Sequence, residues 1–190
     1  MSLSGSLQHG QENPSAWVQR WAQLLQPKST VLDVACGHGR HMAYLSGLGH
    51  QLTGIDRNPE AVSAASAFGR VVQADIENGP WPLSEAFDAL VVTNYLWRAL
   101  FPQLLNAVKP GGLVLYETFA QGNETLGKPS RPDFLLAPGE LLQMFQGWRV
   151  VAYEHGYLPS PVRYVQRIVA VNSLDPVARH VLSTAPESQG

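Results

Sequence analysis

The stretch Val31-Leu32-Asp33-Val34-Ala35-Cys36-Gly37-His38-Gly39-Arg40 limits what this chain can fold into more than any other. An apolar run rich in β-branched residues breaks into Gly-His-Gly and then into a helical pattern, which predicts a strand, a tight turn and a helix start. The near-continuous apolar character of the run suits a strand buried on both faces of a parallel sheet. Glycines let the backbone approach a ligand closely, and a helix start offers unpaired N–H groups. The junction therefore suits an anion or a nucleotide.

Further strands are expected over residues 51–56, 70–75, 87–93 and 113–119, with helices over 40–48 and 59–68. Asn58, Pro59 and Glu60 form a helix start of cap, first-turn proline and first-turn acid. Pro80 and Pro82 exclude a long helix between the third and fourth strands, and Pro102 predicts a break within the helical spacing of residues 96–108. Lys109-Pro110-Gly111-Gly112 predicts a turn. Residues 138–145 read as a last helix, and 148–154 and 162–171 as two closing strands. Their link is too short for a crossover helix, so the last strand should run antiparallel. The alternation of strands and helices predicts a doubly wound, Rossmann-like α/β fold with a mostly parallel seven-stranded sheet.

The length of 190 residues suits one domain, expected over residues 1–173. Residues 1–29 read as a cover segment with a helix whose face carries Trp17, Val18, Trp21, Leu24 and Leu25, capped by Ser15 or Asn13 and stopped by Pro27. Residues 120–137, rich in Gly, Asn, Lys, Pro, Ser and Arg, read as a lid-like loop. Residues 174–190 read as a flexible tail, with a helical turn over 177–182. A formal charge of -2 gives no general pull towards nucleic acid, and no such partner is expected. No apolar run is long enough for a bilayer, and the first residues carry neither a basic nor a long apolar signal region, so no membrane partner is expected. The single cysteine, Cys36, excludes an internal disulfide. A cytoplasmic location is expected, and the sequence leaves the oligomeric state open.

Ligands of doubly wound sheets lie beyond the carboxyl ends of the strands, where strand order reverses, which puts residues 35–39, Asp56, Asp75 and Asn94 along one edge. Asp56 follows the glycine turn by about twenty residues, the position from which an acid accepts ribose hydroxyls. With Asp75 at the next strand end, the pattern points to a nucleoside-containing ligand. A nicotinamide turn requires G-x-G-x-x-G, but here the third glycine is replaced by Met42. Asp33 inside the strand requires hydrogen-bond donors, from a ligand ammonium or from the turn itself.

These residues resemble the D-x-x-x-G-x-G signature of class I S-adenosylmethionine-dependent methyltransferases. The likeness extends through Gly54-Ile55-Asp56, Ala74-Asp75-Ile76, residues 87–92 and Lys109-Pro110-Gly111-Gly112-Leu113. It implies that S-adenosylmethionine is the cofactor and S-adenosylhomocysteine the product. It puts the methionine part near Asp33, Ala35, Gly37 and Gly39, and the ribose on Asp56 with Arg57 beside the adenine. Asp75 and Ile76 would meet the adenine, while Asn94, Tyr95 and Leu96 would lie near the transferred methyl. Within the class, Gly39-Arg40-His41 followed by Tyr44-Leu45, together with residues 134–141, is similar to the bacterial tellurite-resistance methyltransferases. Residues 118–132 depart from that pattern, so the substrate does not follow from the likeness.

The acceptor side is expected to involve Asn94, Tyr95, His155, Arg163 and Arg167. Two arginines in the otherwise apolar closing strand point to one of them facing a substrate pocket. Asn123, Glu124, Lys128 and Arg131 are the polar residues of the loop, and Tyr95, Trp97 and Tyr116 are candidates to line the acceptor pocket. His41 and His155 are the candidate bases, although helix packing is the commoner role for His41. The histidines show no metal-ligand spacing, and no metal is expected. Cys36 lies in the turn and Asn94-Tyr95-Leu96-Trp97 lacks a Pro-Pro-aromatic sequence, which turns the expectation from nucleic-acid bases to a small-molecule acceptor such as a thiol, a chalcogen oxyanion or a small acid. The competing readings are a nicotinamide-dependent oxidoreductase and a non-catalytic nucleoside-binding module.

Overall fold

A computed structural model describes residues 13–173. The expectations for residues before Asn13 and for the tail from residue 174, including the helical turn over 177–182, lie outside the described residues.

The opening stretch folds as expected into β1 (Thr30–Val34), a glycine turn and α2 (Arg40–Gly47), preceded by α1 (Ala16–Trp21). Ser15 caps α1 by accepting the N–H of Trp17 at 3.1 Å. The helical pattern then tightens into a 3-10 turn over Ala22–Leu24 and does not run on as one α-helix to Pro27. The strand β2 (Gln51–Asp56) leads into α3 (Pro59–Ala65), where the side chain of Asn58 accepts the N–H of Glu60. This helix stops short of Phe68, because Gly69 packs against the backbone of Leu52, where a Cβ would meet the carbonyl oxygen. The strand β3 (Arg70–Gln73) is shorter than expected and leaves Asp75 beyond its end.

The strand β4 (Phe87–Thr93) follows without an intervening helix. A 3-10 turn at Arg98–Leu100 then passes into α4 (Phe101–Asn106), with Pro102 in the first turn, where it removes no hydrogen bond. The expected turn at Lys109-Pro110-Gly111-Gly112 is absorbed into β5 (Val108–Phe119) as an excursion, since Phe87 pairs with Val108 but Ala89 with Leu113. After the loop come α5 (Glu140–Met144), β6 (Arg149–Pro159) and β7 (Val162–Val171). The strand β6 reaches five residues further than expected because β7 pairs with it down to Pro159 opposite Val162.

The sheet order is β3-β2-β1-β4-β5-β7-β6, with β7 antiparallel to both neighbours and the remaining pairs parallel. Strand order reverses between β1 and β4, so the crevice falls at their carboxyl ends. Each face is covered by helices, as buried parallel strands require. One face packs Leu32, Leu90, Val114 and Ile168 against Leu104 of α4 and Leu141 of α5. The other packs Val31, Val91, Leu115 and Val169 against Trp17 and Trp21 of α1 and Met42 and Leu45 of α2. No helix among the described residues is long and apolar enough to cross a membrane.

Candidate functional site

The glycine turn is built from left-handed backbone. Ala35 (φ 53°), Gly37 (φ 55°) and Gly39 (φ 81°) all adopt positive φ, so the chain reverses between β1 and α2 within a few residues. Gly39 has a second reason to be glycine, since a Cβ there would stand 2.9 Å from that of Ala65 on α3. A Cβ on Gly37 would meet nothing within 4 Å, which leaves its backbone open to a ligand. The Gly37 N–H donates to Asp56 Oδ2 at 2.8 Å, and the Asn58 N–H donates to Asp56 Oδ1 at 2.9 Å. The acid at the end of β2 thus braces the turn while still facing the crevice.

Beside it lies a cavity of about 160 Å³ lined by Ala35, Ile55, Asp56, Arg57, Ala74, Asp75, Ile76, Glu77 and Tyr95. Most of the expected cofactor residues past the first strand converge here. Asp75 accepts from the Glu77 and Asn78 backbone and from the Asn78 side chain, and these hydrogen bonds hold its carboxyl below the usual range. Tyr95, expected near the transferred methyl, lies with Asp75 and Ile76 on this side. Its hydroxyl is buried without a partner, and burial with the adjacent Glu77 charge pushes it well above the ordinary range. Leu96 is buried in the core beside Leu100 and Val92.

Asp33 and the polar row form the second half of the site. Asp33 is 1% exposed and its Oδ2 has no hydrogen-bond partner. Burial pushes its carboxyl up to about 8, with Arg40 opposing the rise and Asp56 adding to it. Such a group is neutral at pH 7 and would ionise beside a ligand cation. His41 Nδ1 stands 4.0 Å from Asp33 Oδ2 and 3.5 Å from Thr93 Oγ1, while its Nε2 accepts the Ser15 N–H at 3.1 Å. Burial, with Arg40 beside it, lowers the imidazole to about 3. His41 is therefore neutral and committed at Nε2, which removes it as a base.

Thr93, Glu117, Arg167 and Glu154 are cross-strand partners on β4, β5, β7 and β6 and continue the row. Glu117 is buried and accepts from Ser15 Oγ at 2.9 Å, Arg163 Nη2 at 2.9 Å and Arg167 Nη1 at 3.2 Å. Arg167 also pairs with Glu154 and stacks over Trp17, 4.8 Å from the ring centre. Arg163 Nη1 reaches Asn94 Oδ1 at 3.1 Å, and Arg163 Nε is buried without a partner. Both arginines therefore point along the sheet onto one carboxylate. Arg163 alone reaches Asn94, at the end of β4.

His155 sits inside the edge strand β6 and does not end it; it is exposed and pairs across to Gln166. The loop after β5 is pinned by a bridge between Ala120 and Leu136 and by buried Asn123, which donates to Pro129 O and accepts the Tyr164 N–H. Arg98 ties the loop's far side down through Glu140 and the carbonyls of Asp133 and Leu135. Trp97 packs partly buried against the core, and Tyr116 is fully buried with its hydroxyl donating to Tyr95 O. Glu117, Thr93 and the contacts of Ser15 were not anticipated. An acid within the apolar run of β5 was the available signal. No group of residues suited to a metal occurs among the described residues.

The profile of the methyltransferase-domain family matches residues 7–168. A ribosomal protein L11 methyltransferase from Burkholderia thailandensis is 39% identical over 100 residues, covering 48% of this chain and 32% of that protein. The probable S-adenosyl-L-methionine-dependent methyltransferase TehB from Haemophilus influenzae is 26% identical over 144 residues, 70% of this chain and 50% of that protein. The chain thus spans about a third to a half of the length of these relatives. Among solved structures, TehB from Haemophilus influenzae aligns with a TM-score of 0.66 at 21% identity, covering 80% of this chain and 60% of that chain. A TehB-like SAM-dependent methyltransferase from Corynebacterium glutamicum aligns with a TM-score of 0.61 at 18% identity, covering 83% and 87%. At these identities the structural likeness is one of fold.

Proposed function

The chain belongs to the methyltransferase-domain family, and on that premise we propose that it transfers the methyl group of S-adenosylmethionine to a small-molecule acceptor. The observation that carries the reading is the buried, unpartnered Asp33 oxygen beside a left-handed glycine turn that opens onto the Asp56–Asp75 cavity. An ammonium suits the first, a ribose the turn-bracing acid Asp56, and an adenine the cavity lined by Ile76 and Tyr95. At the position where a dinucleotide turn needs its third glycine stands Met42, fully buried, with its sulfur where a Cβ on Gly54 would come within 2.6 Å. That packing speaks against the nicotinamide reading.

A bound sulfonium supplies an electrophilic methyl and leaves as a neutral thioether. The chain's own task is then alignment and exclusion of water, which can contribute about 7–11 kcal/mol. Neither His41, neutral and engaged, nor Tyr95, whose hydroxyl resists ionisation, suits a general base, and His155 lies exposed on the edge strand β6, separated from β4 by β5 and β7. This favours an acceptor that arrives ready to attack, such as a thiolate or an oxyanion. Asn94 and Arg163 are the candidates to orient it. A protein acceptor is the second reading, motivated by the Burkholderia relative, whose match covers 48% of this chain.

The test has two stages. S-adenosylmethionine and S-adenosylhomocysteine should each raise the melting temperature, and NAD should not; stabilisation by NAD alone overturns the cofactor. Methyl transfer from radiolabelled S-adenosylmethionine is then measured on thiols, chalcogen oxyanions, small carboxylates and ribosomal protein. Label only on protein would sink the small-molecule acceptor.

A further inference from the structure

We propose that His41 is a positioning residue that couples the charge of Asp33 to the N-terminal segment around Ser15, so that filling the cofactor's ammonium site secures that segment. The inference rests on the reading of Asp33 given above and goes beyond it.

The geometry forms one continuous path. Asp33 Oδ2 faces His41 Nδ1 at 4.0 Å, and His41 Nε2 accepts the Ser15 N–H. Ser15 Oγ donates to Glu117, Glu117 holds Arg163, and Arg163 reaches Asn94. The path therefore runs from the cofactor side of the crevice to the acceptor side, and the first turn of α1 hangs from its middle. His41 is neutral and accepts at Nε2, so its proton sits on Nδ1. That N–H points towards Thr93 and Asp33.

While Asp33 is protonated, the Nδ1–H meets no charge, and the 4.0 Å separation is too long for a hydrogen bond. Once a ligand ammonium draws the proton off Asp33, the carboxylate becomes a strong acceptor for that N–H. Polarisation of the ring then makes Nε2 a better acceptor for Ser15, since linked hydrogen bonds strengthen one another. The other charged or titratable groups around Asp33 are Arg40, Asp56 and Cys36. Arg40 and Asp56 act on it from the start of α2 and the end of β2, and neither occurs in the path from His41 to Asn94.

Hydrogen exchange of residues 13–21 with and without S-adenosylhomocysteine tests this, together with calorimetry in buffers of different ionisation enthalpy to count released protons. The wild type should show slower exchange in that segment on binding and release of most of one proton at pH 7. His41→Leu should still bind and still release the proton, but the added protection of the segment should be lost. His41→Gln, which can accept from Ser15 and donate towards Asp33, should restore it. Ser15→Pro, compatible with the Ser15 φ of -52°, removes the N–H without touching His41 and should also lose the protection, whereas Ser15→Ala, which removes only the hydroxyl, should keep most of it. Undiminished protection in both His41→Leu and Ser15→Pro overturns the coupling. No binding of S-adenosylhomocysteine by the wild type would instead overturn the cofactor reading on which it rests.

Discussion

On the β1–β2–β3 side of the crevice, buried polar groups are left without partners. Asp33 Oδ2 and the Tyr95 hydroxyl have none, and Gly37 faces open space. On the β5–β7–β6 side the charges pair among themselves: Glu117, Arg163, Arg167 and Glu154 close on one another and on Ser15 and Asn94, and Arg163 Nε is the one atom of this group buried without a partner. A buried group without a partner carries a free-energy cost that a ligand can remove, so the first side is prepared for a ligand of defined chemistry. The second side has already satisfied most of its charge and serves mainly as a rigid wall. This contrast predicts that substitutions on the wall change stability, and substitutions on the open side change ligand affinity.

The largest effect is expected for Glu117→Ala. It takes the buried carboxylate from Arg163 and Arg167, whose side chains are only 14% and 16% exposed, leaving them Asn94 and the partly exposed Glu154, and removes an acceptor from Ser15. Breaking a buried pair from one side costs about 3–5 kcal/mol. For a domain of this size that is a fall in melting temperature on the order of 10 °C. A fall of only a degree or two in thermal denaturation would mean that the wall is not held by this carboxylate.

The contrast also explains what could be read from the chain alone. The open side is local: Asp33, Gly37, Gly39 and Asp56 lie within one strand-turn-helix-strand unit, and their spacing reflects backbone demands that glycine and acid positions reveal. The doubly wound, mostly parallel sheet and the antiparallel β7 were legible for the same reason, because short links and alternating patterns limit topology. The wall is non-local. Ser15, Glu117, Arg163 and Asn94 meet only after the sheet has formed, and nothing in their spacing announces it. Arg163 and Arg167 were visible as unusual in an apolar strand, but their partner on β5 was not. Tyr95 could be placed at the crevice but not on the side of Asp75 and Ile76, since a single left-handed residue, Asn94 at φ 54°, redirects the chain after β4.

Next in size is Asp56→Ala. It removes an acceptor from the Gly37 and Asn58 N–H groups and, on the proposed function, from a ribose. Hydrogen bonds to a charged group contribute about 1.5–3 kcal/mol. Affinity for S-adenosylhomocysteine should therefore fall between about tenfold and a hundredfold by calorimetry, with a smaller change in the stability of the ligand-free protein than Glu117→Ala produces. The reverse ranking would erase the distinction between the two sides.

A pH series sharpens it further. Asp33 is raised from 3.8 to about 8 in the folded protein, so the fold prefers its protonated form. That contribution to stability is fully present below pH 4 and is lost as pH rises towards and through 8. The ligand-free protein should thus lose stability between about pH 4 and 8 more steeply than Asp33→Asn does, and level off above that. On the proposed function an ammonium binds the Asp33 carboxylate, so affinity for S-adenosylhomocysteine should rise about tenfold per pH unit up to roughly pH 8. In Asp33→Asn that slope should flatten. An unchanged slope in the variant would assign the titration to another group.

The smallest effect is expected at the outer end of the wall, in Glu154→Gln. Glu154 pairs with Arg167 and with Arg20, but its side chain is 40% exposed, so water screens both contacts. Exposed ion pairs contribute about 0–1 kcal/mol, and Arg167 keeps Glu117 and the Trp17 ring when Glu154 is neutralised. The melting temperature should fall by no more than about 2–4 °C, and affinity for S-adenosylhomocysteine should not move. Glu117 and Glu154 accept from the same guanidinium on opposite sides of β7, but Glu117 is buried and also holds Arg163 and Ser15, so the two losses should differ. Equal losses from Glu154→Gln and Glu117→Ala would show that Arg167 is anchored from the solvent side. The buried row would then be a consequence of the edge hairpin and not the support of the wall.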